Sequence, residues 1–569
     1  MRVVVVGGVA GGALAAARIR RLDETAQVDV FERGPDVSFS NCALPYYLGG
    51  VVEDAGDLIM ATPEEFRKKY NISVHTGHEV LRIDRTAKTV TVRDGTGDCR
   101  DVPYDKLVLA TGASPVVPAN ISGVDQDHVY TIRNVQDITA VKARMDRDDT
   151  KNVVVVGGGF IGVEVAENLK KAGKNVTIVE GLPQILAPFD HDMVQAIQKE
   201  LDDNGVAVIV SGTVTAVERD WVRVARTANG VKTEQVIPAD AVVLSIGVAP
   251  ETALAKEAGL AIGETRGIRV NRYMQTSDPD IYAVGDVAES FNRQTGLPGR
   301  LALAWPAQKQ ARIAADHICG IVSENPGFIG ASCIRVFGLN AAAVGLNARG
   351  AEAAGASFDH VTVYAPDKVG IMPDCHYVAL KLLFEVPSGK LLGAQAIGQG
   401  EVDKRIDVVA ALIGMGGSVK DLWEYEHCYA PLFSTAKDAV HMAALVASNV
   451  LSGRLRQIHV DEVRRLVEDH AYIVDVREEE EFACGHLKGA HNIPLTALRA
   501  RADEIPRDVP VYLHCRSSQR SYYAYCYLRG SGFANVSNIS GSFLGISLYE
   551  YFEDKTEGRT PIVTEYNFN

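Results

Sequence analysis

The 569-residue sequence has no pair of neighbouring cysteines. Its nine, Cys42, Cys99, Cys319, Cys333, Cys375, Cys428, Cys484, Cys515 and Cys526, are an odd number scattered along the chain, with no CxxC pair and no His/Cys cluster at metal-ligand spacing. That pattern argues against a disulfide framework, fits a reducing compartment, and leads us to expect no metal ion. Positive charge is also short: 58 Lys and Arg against 72 Asp and Glu leave a net charge of −14. A phosphate-binding surface needs clustered base, so no nucleic-acid partner is expected. No apolar run reaches the roughly 18 residues of a membrane span. The opening MRVVVVGGVAGGALAAARIRR has the Arg and apolar run of a signal peptide, but its glycines divide it into strand, turn and helix. We therefore expect an intact N-terminus and a cytoplasmic location. At roughly 150 residues per domain the length implies three or four domains.

What the chain does have is glycine, 52 residues of it, concentrated in turns after short apolar runs. Val3 to Val6 suits a strand buried on both faces, and Ala13 to Arg21 suits a helix. Between them lies Gly7-Gly8-Val9-Ala10-Gly11-Gly12, where Gly7 and Gly12 match the dinucleotide fingerprint and Val9 replaces its middle glycine. The next strand, VDVFE, ends at Glu32, placed to accept hydrogen bonds from a ribose while a pyrophosphate caps the helix. A second copy runs from Asn152 through Gly157, Gly159 and Gly162 into a helix over Val163 to Ala172 and a strand closing at Glu180. Glu180 accepts from a free 2′-hydroxyl and repels a 2′-phosphate, and Gly181 stands where an NADP site places Arg, so NADH is expected over NADPH. Two such folds mean two dinucleotides, a resident flavin and a diffusing nicotinamide. LVLATGASP (107–115) and VVLSIGVAP (242–250) are the strand-then-turn segments where the chain crosses between the folds, and SDPDIYAVGDVAE (277–289) places Asp286 after an apolar strand.

The nested folds, the ATG and AVGD segments, SFSNCALPYY (38–47), LAWPAQKQA (303–311) and KRIDV (404–408) together resemble the flavin-dependent pyridine nucleotide–disulfide oxidoreductases, in particular the coenzyme A-disulfide reductase branch. The resemblance covers residues 1 to about 450. It implies an FAD domain over 1–112 and 250–322, an NAD(H) domain over 113–249, and an α+β dimerisation domain over 323–450. In it, Asp286 binds the FAD ribityl and pyrophosphate region. Gly8, Arg33, Thr111, Gly112, Gly247, Gly285 and Leu303 fall at further cofactor-contacting positions. It also implies a homodimer in which Tyr429 of CYAPLFSTAKD reaches the partner's flavin site. The chain departs from the pattern in VAPET, which lacks the usual preceding arginine, and in Gly370-Ile371-Met372-Pro373-Asp374, which replaces a Tyr-Tyr-Pro-Gly stretch. Losing those hydroxyls leaves Tyr429 as the candidate general acid.

Cys42 has no resolving partner, since Ala43, Leu44, Pro45, Tyr46 and Tyr47 follow it. The substrate then has to supply the second sulfur: Cys42 attacks a disulfide or persulfide and holds one half. The thiolate is the nucleophile, so a depressed pKa is expected, with the flavin and backbone donors as agents. A sulfenic acid cycle, as in related NADH oxidases and peroxidases, is the other active reading of Cys42. Arg18, Arg20 and Arg21 gather at the end of the first helix, where a phosphorylated thiol carrier needs charge. By resemblance Leu14, Arg18, Arg21, Ser38, Asn41 and Lys437 fall at coenzyme A-contacting positions.

After SNVLSGRLR (448–456) the composition shifts to a compact α/β segment, 455–569. There YIVDVREEEEFACGHLKGAHNIP (472–494) resembles the entry to a rhodanese domain, with Asp475, Arg477, Gly485, His486 and Pro494 at pattern positions. A strand leads into Cys515-Arg516-Ser517-Ser518-Gln519-Arg520-Ser521 and then a helix over 522–528. A cysteine between a strand end and a helix N-terminus sits among backbone N–H groups, and Arg516 and Arg520 add charge that suits an anionic persulfide. Gly541-Ser542 departs from a common Gly-Gly.

Together these readings predict an α/β protein that reduces persulfide or polysulfide sulfur with NADH through FAD and Cys42, while Cys515 handles sulfane sulfur and coenzyme A serves as substrate or shuttle. The alternatives are a coenzyme A-disulfide reductase with an accessory rhodanese, and a sulfane-sulfur carrier or redox sensor.

Overall fold

The computed structural model describes residues 1–228 and 231–568. The chain divides into two compact units, the first made of 1–181, 212–225 and 234–328, the second of 182–211, 226–233 and 329–569.

In the first unit, strand Arg2–Val6 is nearly sealed, with Val3, Val4 and Val5 at 0% exposure, because it lies between parallel neighbours on both sides. The sheet order is Ile281–Ala283, Lys106–Leu109, Arg2–Val6, Gln27–Glu32, Ser73–Thr76, all parallel. The helix after the first glycine turn, Ala10–Leu22, packs on helix Ala304–Ile318. Both are rich in buried alanine: Ala13, Ala15, Ala16 and Ala17 on one, Ala307, Ala311, Ala314 and Ala315 on the other. Such small side chains let two helix backbones approach closely.

A second parallel group in the same unit runs Asn175–Val179, Asn152–Val156, Ala241–Leu244, Val129–Thr131. Its helix spans Phe160–Lys171 and, like the first, starts directly at the glycine turn, three residues earlier than expected. The two crossing segments meet each other, for Ala113–Pro115 pairs antiparallel with Val248–Pro250. The chain thus leaves and re-enters the first fold through one two-stranded strap.

In the second unit an antiparallel sheet runs Ser332–Val336, Leu339–Gly345, Leu391–Gly398, Tyr377–Glu385, Phe358–Pro366. Helices Val402–Met415 and Ala439–Leu451 cover it, burying Ile406, Val409, Val440 and Ala443. The C-terminal segment forms a parallel sheet in the order Gln457–Ile458, Val536–Ile539, Val511–His514, Tyr472–Asp475, His491–Asn492. Among the described residues no helix is long and apolar enough to cross a membrane.

Candidate functional site

Both glycine turns are shaped by close approach. Gly7 and Gly157 have φ of +99° and +109°, and a Cβ on Gly12 would lie 1.8 Å from the Gly7 carbonyl oxygen, as one on Gly162 would lie 1.9 Å from that of Gly157. Gly159 differs, since nothing stands within 4 Å of where its Cβ would be. The chain itself does not demand glycine there; a pyrophosphate brought against the backbone does. Each turn is read by the acid at the tip of the next strand. Glu32 accepts from the N–H groups of Gly8 and Gly34, both at 2.8 Å, and Glu180 accepts from Gly158 N–H at 2.6 Å.

The other predicted cofactor positions border the same fold. Thr111 Oγ1 donates to the Glu251 carbonyl at 2.7 Å, Gly112 and Gly247 take φ of +69° and +105°, and Arg33 reaches Glu251 at 3.5 Å. Gly285, φ +79°, donates to Gln310 and opens a short turn, Gly285–Val287, that carries Asp286. Burial raises the Asp286 carboxyl above its usual range, against the pull of Arg300. A desolvated acid of this kind suits a hydroxyl-rich ligand. Leu303 caps the helix that follows. The open cradle, the strand-tip acids and Asp286 fit a flavin in the first fold and a nicotinamide nucleotide in the second.

Cys42 lies in a single turn, Asn41–Ala43, ahead of the short helix Leu44–Leu48, and is exposed. The protein's own groups push the Cys42 thiol up, through partial desolvation and then the carboxyls of Glu164 and Asp286, so lowering it is left to the flavin. Glu164 was not singled out from sequence. It sits in the helix after the second glycine turn, where burial pushes its carboxyl up to about 7, and Tyr46 donates to it at 3.2 Å. The signal was available as the acid two residues past Gly162 in GGGFIGVE, but only the fold brings it to Cys42.

The sign of this interaction sets an expected result. Glu164 is charged above about pH 7 and its charge disfavours the thiolate. A screened charge several Å away is worth about 0.5–1 kcal/mol, so at pH 8 iodoacetamide should alkylate Cys42 of Glu164→Gln about two- to fivefold faster than wild type. Equal or slower alkylation would remove Glu164 from the account.

Of the coenzyme A-contacting candidates, Ser38 holds a left-handed φ of +51° and donates its N–H to the Gly8 carbonyl at 2.9 Å. Asn41 Nδ2 donates to the Arg133 carbonyl at 3.3 Å, and Leu14 is half-buried against the core. The arginine cluster separates. Arg20 is 4% exposed and spent on the carbonyls of Asp23, Glu24, Tyr70 and Asn71. Arg18 pairs with Asp316 at 2.7 Å, and Arg21 is exposed.

In the second unit Tyr429 is 49% exposed, and Leu432 and Phe433 just after it, like Ile371, are each more than 60% exposed. The departures at Ile371 and Met372 sit by this segment, since Val369 N–H bonds the Pro431 carbonyl at 3.4 Å. Lys437 is exposed, and its carbonyl accepts from Thr435.

Cys515 directly follows strand Val511–His514 and is 1% exposed. It precedes helix Gln519–Gly530, whose first-turn N–H groups have no intrahelical partner. The helix begins at Gln519, three residues ahead of the expected start, so its first turn opens on the cysteine. Ser521 Oγ donates to Cys515 Sγ at 3.6 Å, and Cys515 N–H donates to Ser542 Oγ at 3.3 Å. Ser542 and Ser518 both take left-handed φ, +49° and +72°, and their hydroxyls lie 3.1 Å apart. The serine at the Gly-Gly departure therefore ties the loop together. Arg520 is held by Glu481 at 2.6 and 2.7 Å and still feels the charge of Cys515. Arg516 makes no salt bridge among the described residues, and burial lowers its pKa first.

Asp475 and Arg477 act beneath this loop. Their buried fork, 2.6 Å at its shortest, also reaches the Gly485 carbonyl, and the Arg477 guanidinium covers the Phe543 ring at 4.1 Å. Phe543 N–H bonds the Cys515 carbonyl at 3.0 Å. Arg477→Ala would strand a carboxylate at 0% exposure and is expected to cost about 3–5 kcal/mol. Urea unfolding followed by proteolysis of the C-terminal segment measures this; a loss below about 1 kcal/mol would show that the pair is not structural.

Comparison with known proteins agrees with this reading of the elements. Residues 1–311 match the family described as pyridine nucleotide-disulphide oxidoreductase, 332–440 the dimerisation domain of that family, and 459–548 the rhodanese-like domain. A coenzyme A disulfide reductase of Staphylococcus haemolyticus is 33% identical over 453 residues, 79% of this chain and 100% of that protein. The structure of reduced CoADR-RHD from Bacillus anthracis is 39% identical with a TM-score of 0.92, covering 96% of this chain and 98% of that one. A NAD-dependent persulfide reductase from A. fulgidus is 35% identical with a TM-score of 0.90, covering 97% and 100%. The chain belongs to the pyridine nucleotide-disulphide oxidoreductase family and carries a rhodanese-like domain after the family's dimerisation domain.

Proposed function

We propose that this chain is an FAD-dependent NADH:persulfide and polysulfide reductase that works through one redox cysteine. The observation that carries the proposal is an exposed Cys42, with no second cysteine in its turn or helix, in the same chain as a Cys515 set at a helix start. A lone thiol beside a flavin needs a substrate with its own sulfur–sulfur bond.

The glycine turn at Gly7–Gly12 with Glu32 and Asp286 would hold FAD, and that at Gly157–Gly162 with Glu180 would hold NADH. FAD bound there relays two electrons from NADH to sulfur and favours the thiolate of Cys42. Cys42 attacks the persulfide R–S–SH at a sulfur, one S–S bond forms as another breaks, and half the substrate stays as a mixed disulfide. Reduction restores the thiolate, so NADH, a proton and R–S–SH give NAD⁺, R–SH and hydrogen sulfide. Glu164, with a carboxyl near pH 7 and a Tyr46 hydrogen bond, is the group placed to hold a proton beside the thiol. Tyr429 of the partner subunit is the candidate acid from across the dimer.

Arg18, Arg21, Ser38, Asn41, Leu14 and Lys437 are the positions we assign to coenzyme A, whose long arm would move sulfur between Cys42 and Cys515. The exposed side chains of Ile371, Leu432 and Phe433, in the segment that matches the dimerisation domain, support a homodimer. Nine free cysteines support a cytoplasmic setting.

A second reading is coenzyme A-disulfide reduction with an accessory rhodanese, favoured by the coenzyme A disulfide reductases that match 79% of this chain. Comparing kcat/KM for coenzyme A persulfide, polysulfide and coenzyme A disulfide with NADH decides between them. The persulfide reading requires at least a tenfold preference for a sulfane-sulfur substrate; a preference for the disulfide selects the second.

A further inference from the structure

The expectation of no metal ion rested on spacing along the chain, and the fold brings together ligands that are 100 residues apart. Asp359 and His360 start strand Phe358–Pro366 of the antiparallel sheet, and His459 follows strand Gln457–Ile458 of the rhodanese-like segment. Consecutive strand residues normally point to opposite faces. Here His360 N–H donates to Asp359 Oδ1 at 2.7 Å, which turns the carboxylate back along its own chain. His459 Nε2 lies 2.9 Å from that oxygen, and the rings of His360 and His459 stand 3.8 Å apart. One ligand atom from each of the three residues falls within 4.8 Å of the others.

A second observation is independent of this clustering. Nδ1 of His360 and Nδ1 of His459 are both buried without a hydrogen-bond partner. Buried polar atoms are almost always satisfied, so each of these two rings has a nitrogen that lacks the partner it would ordinarily have. The surroundings are also built for one. Gln457 Nε2 donates to the His360 carbonyl at 2.8 Å and approaches Asp359 Oδ1 at 3.4 Å, the outer-shell support that orients ligands. A cavity of about 260 Å³ opens beside the histidines and gives room for solvent. Lys381 on its wall disfavours positive charge at His360, and Asp190 and Asp192, which hold its ammonium at 3.0 and 2.7 Å, offset that repulsion.

We propose that Asp359, His360 and His459 form a three-ligand site for a divalent transition metal of the zinc class, completed by solvent from the cavity. Two imidazoles and a carboxylate are a donor set such ions take, and ligand atoms around a tetrahedral zinc lie about 3.3 Å apart, so small side-chain movements close the cluster. The bound ion fastens the rhodanese-like segment to the antiparallel sheet.

The test uses the full-length flavoprotein, stripped with chelator and equilibrated by dialysis against micromolar zinc, with metal counted by mass spectrometry. Because thiols also bind zinc, a Cys42→Ser/Cys515→Ser chain serves as reference. That chain should keep about one zinc per subunit, and adding His360→Ala, His459→Ala or the isosteric Asp359→Asn should each lower retention at least tenfold. Zinc should also raise the unfolding temperature of the reference chain and leave Asp359→Asn unmoved. Asp359→Asn decides the matter if a histidine variant fails to fold. Zinc held equally by reference and variants, or by neither, overturns the proposal.

Discussion

Cys42→Ser is expected to lower NADH-dependent cleavage of persulfide, polysulfide and coenzyme A disulfide alike by at least about a thousandfold. A serine hydroxyl is not ionised at neutral pH and cannot carry half of a cleaved S–S bond, so all three reactions lose the same nucleophile. The change removes little packing, because Cys42 is exposed and lies in a single turn ahead of the helix Leu44–Leu48. Flavin content and the melting temperature should therefore match wild type, and kcat should fall while nucleotide binding stays. If the variant keeps a tenth of the activity on any one of these substrates, that substrate is reduced without Cys42 and the single-thiol scheme fails.

Cys515→Ser should separate the two chemistries. Sulfur transfer from a sulfane donor to a thiol should disappear, since the serine at the mouth of helix Gln519–Gly530 cannot hold a persulfide. Coenzyme A disulfide reduction should be unchanged, and turnover of polysulfide should drop by about ten- to a hundredfold if the loop feeds sulfur to the reductase. The residue is buried, but serine is close to cysteine in volume and Ser542 and Ser521 already offer it hydrogen-bonding partners, so the loop should keep its shape. Unaltered polysulfide kinetics would make the rhodanese-like domain an accessory and return the chain to the disulfide reading.

Much of this was legible in the sequence because it is local. A glycine turn between an apolar run and an alanine-rich helix, closed by an acid about twenty residues on, is written within one stretch of chain, and the structure places Glu32 and Glu180 against those turns. The crossing segments were readable as strand-then-turn, though not their pairing with each other. What escaped depends on distant partners. Three neighbouring arginines look alike in sequence, yet Arg20 is consumed by backbone carbonyls 3 to 51 residues away while Arg21 stays in solvent. Arg520 looked free until Glu481, 39 residues earlier, was seen in its fork. The nearness of Glu164 to Cys42, and of Asp359 and His360 to His459, was hidden for the same reason. The protein's own push on the Cys42 thiol comes from partial desolvation and then from Glu164 and Asp286, whose approach no nearby sequence position announces.

Burial of Cys515 also bears on timing. At 1% exposure, under a loop tied by Ser518 and Ser542, sulfur loaded on that thiol is kept in a closed vessel rather than displayed. Free thiols in the surrounding medium would strip an open persulfide within its lifetime; here they must wait for the loop to part. Were Cys515 the sulfur carrier, leakage of reactive sulfur would be governed by how often the loop opened, and delivery would follow the timetable of a protein motion rather than of thiol chemistry.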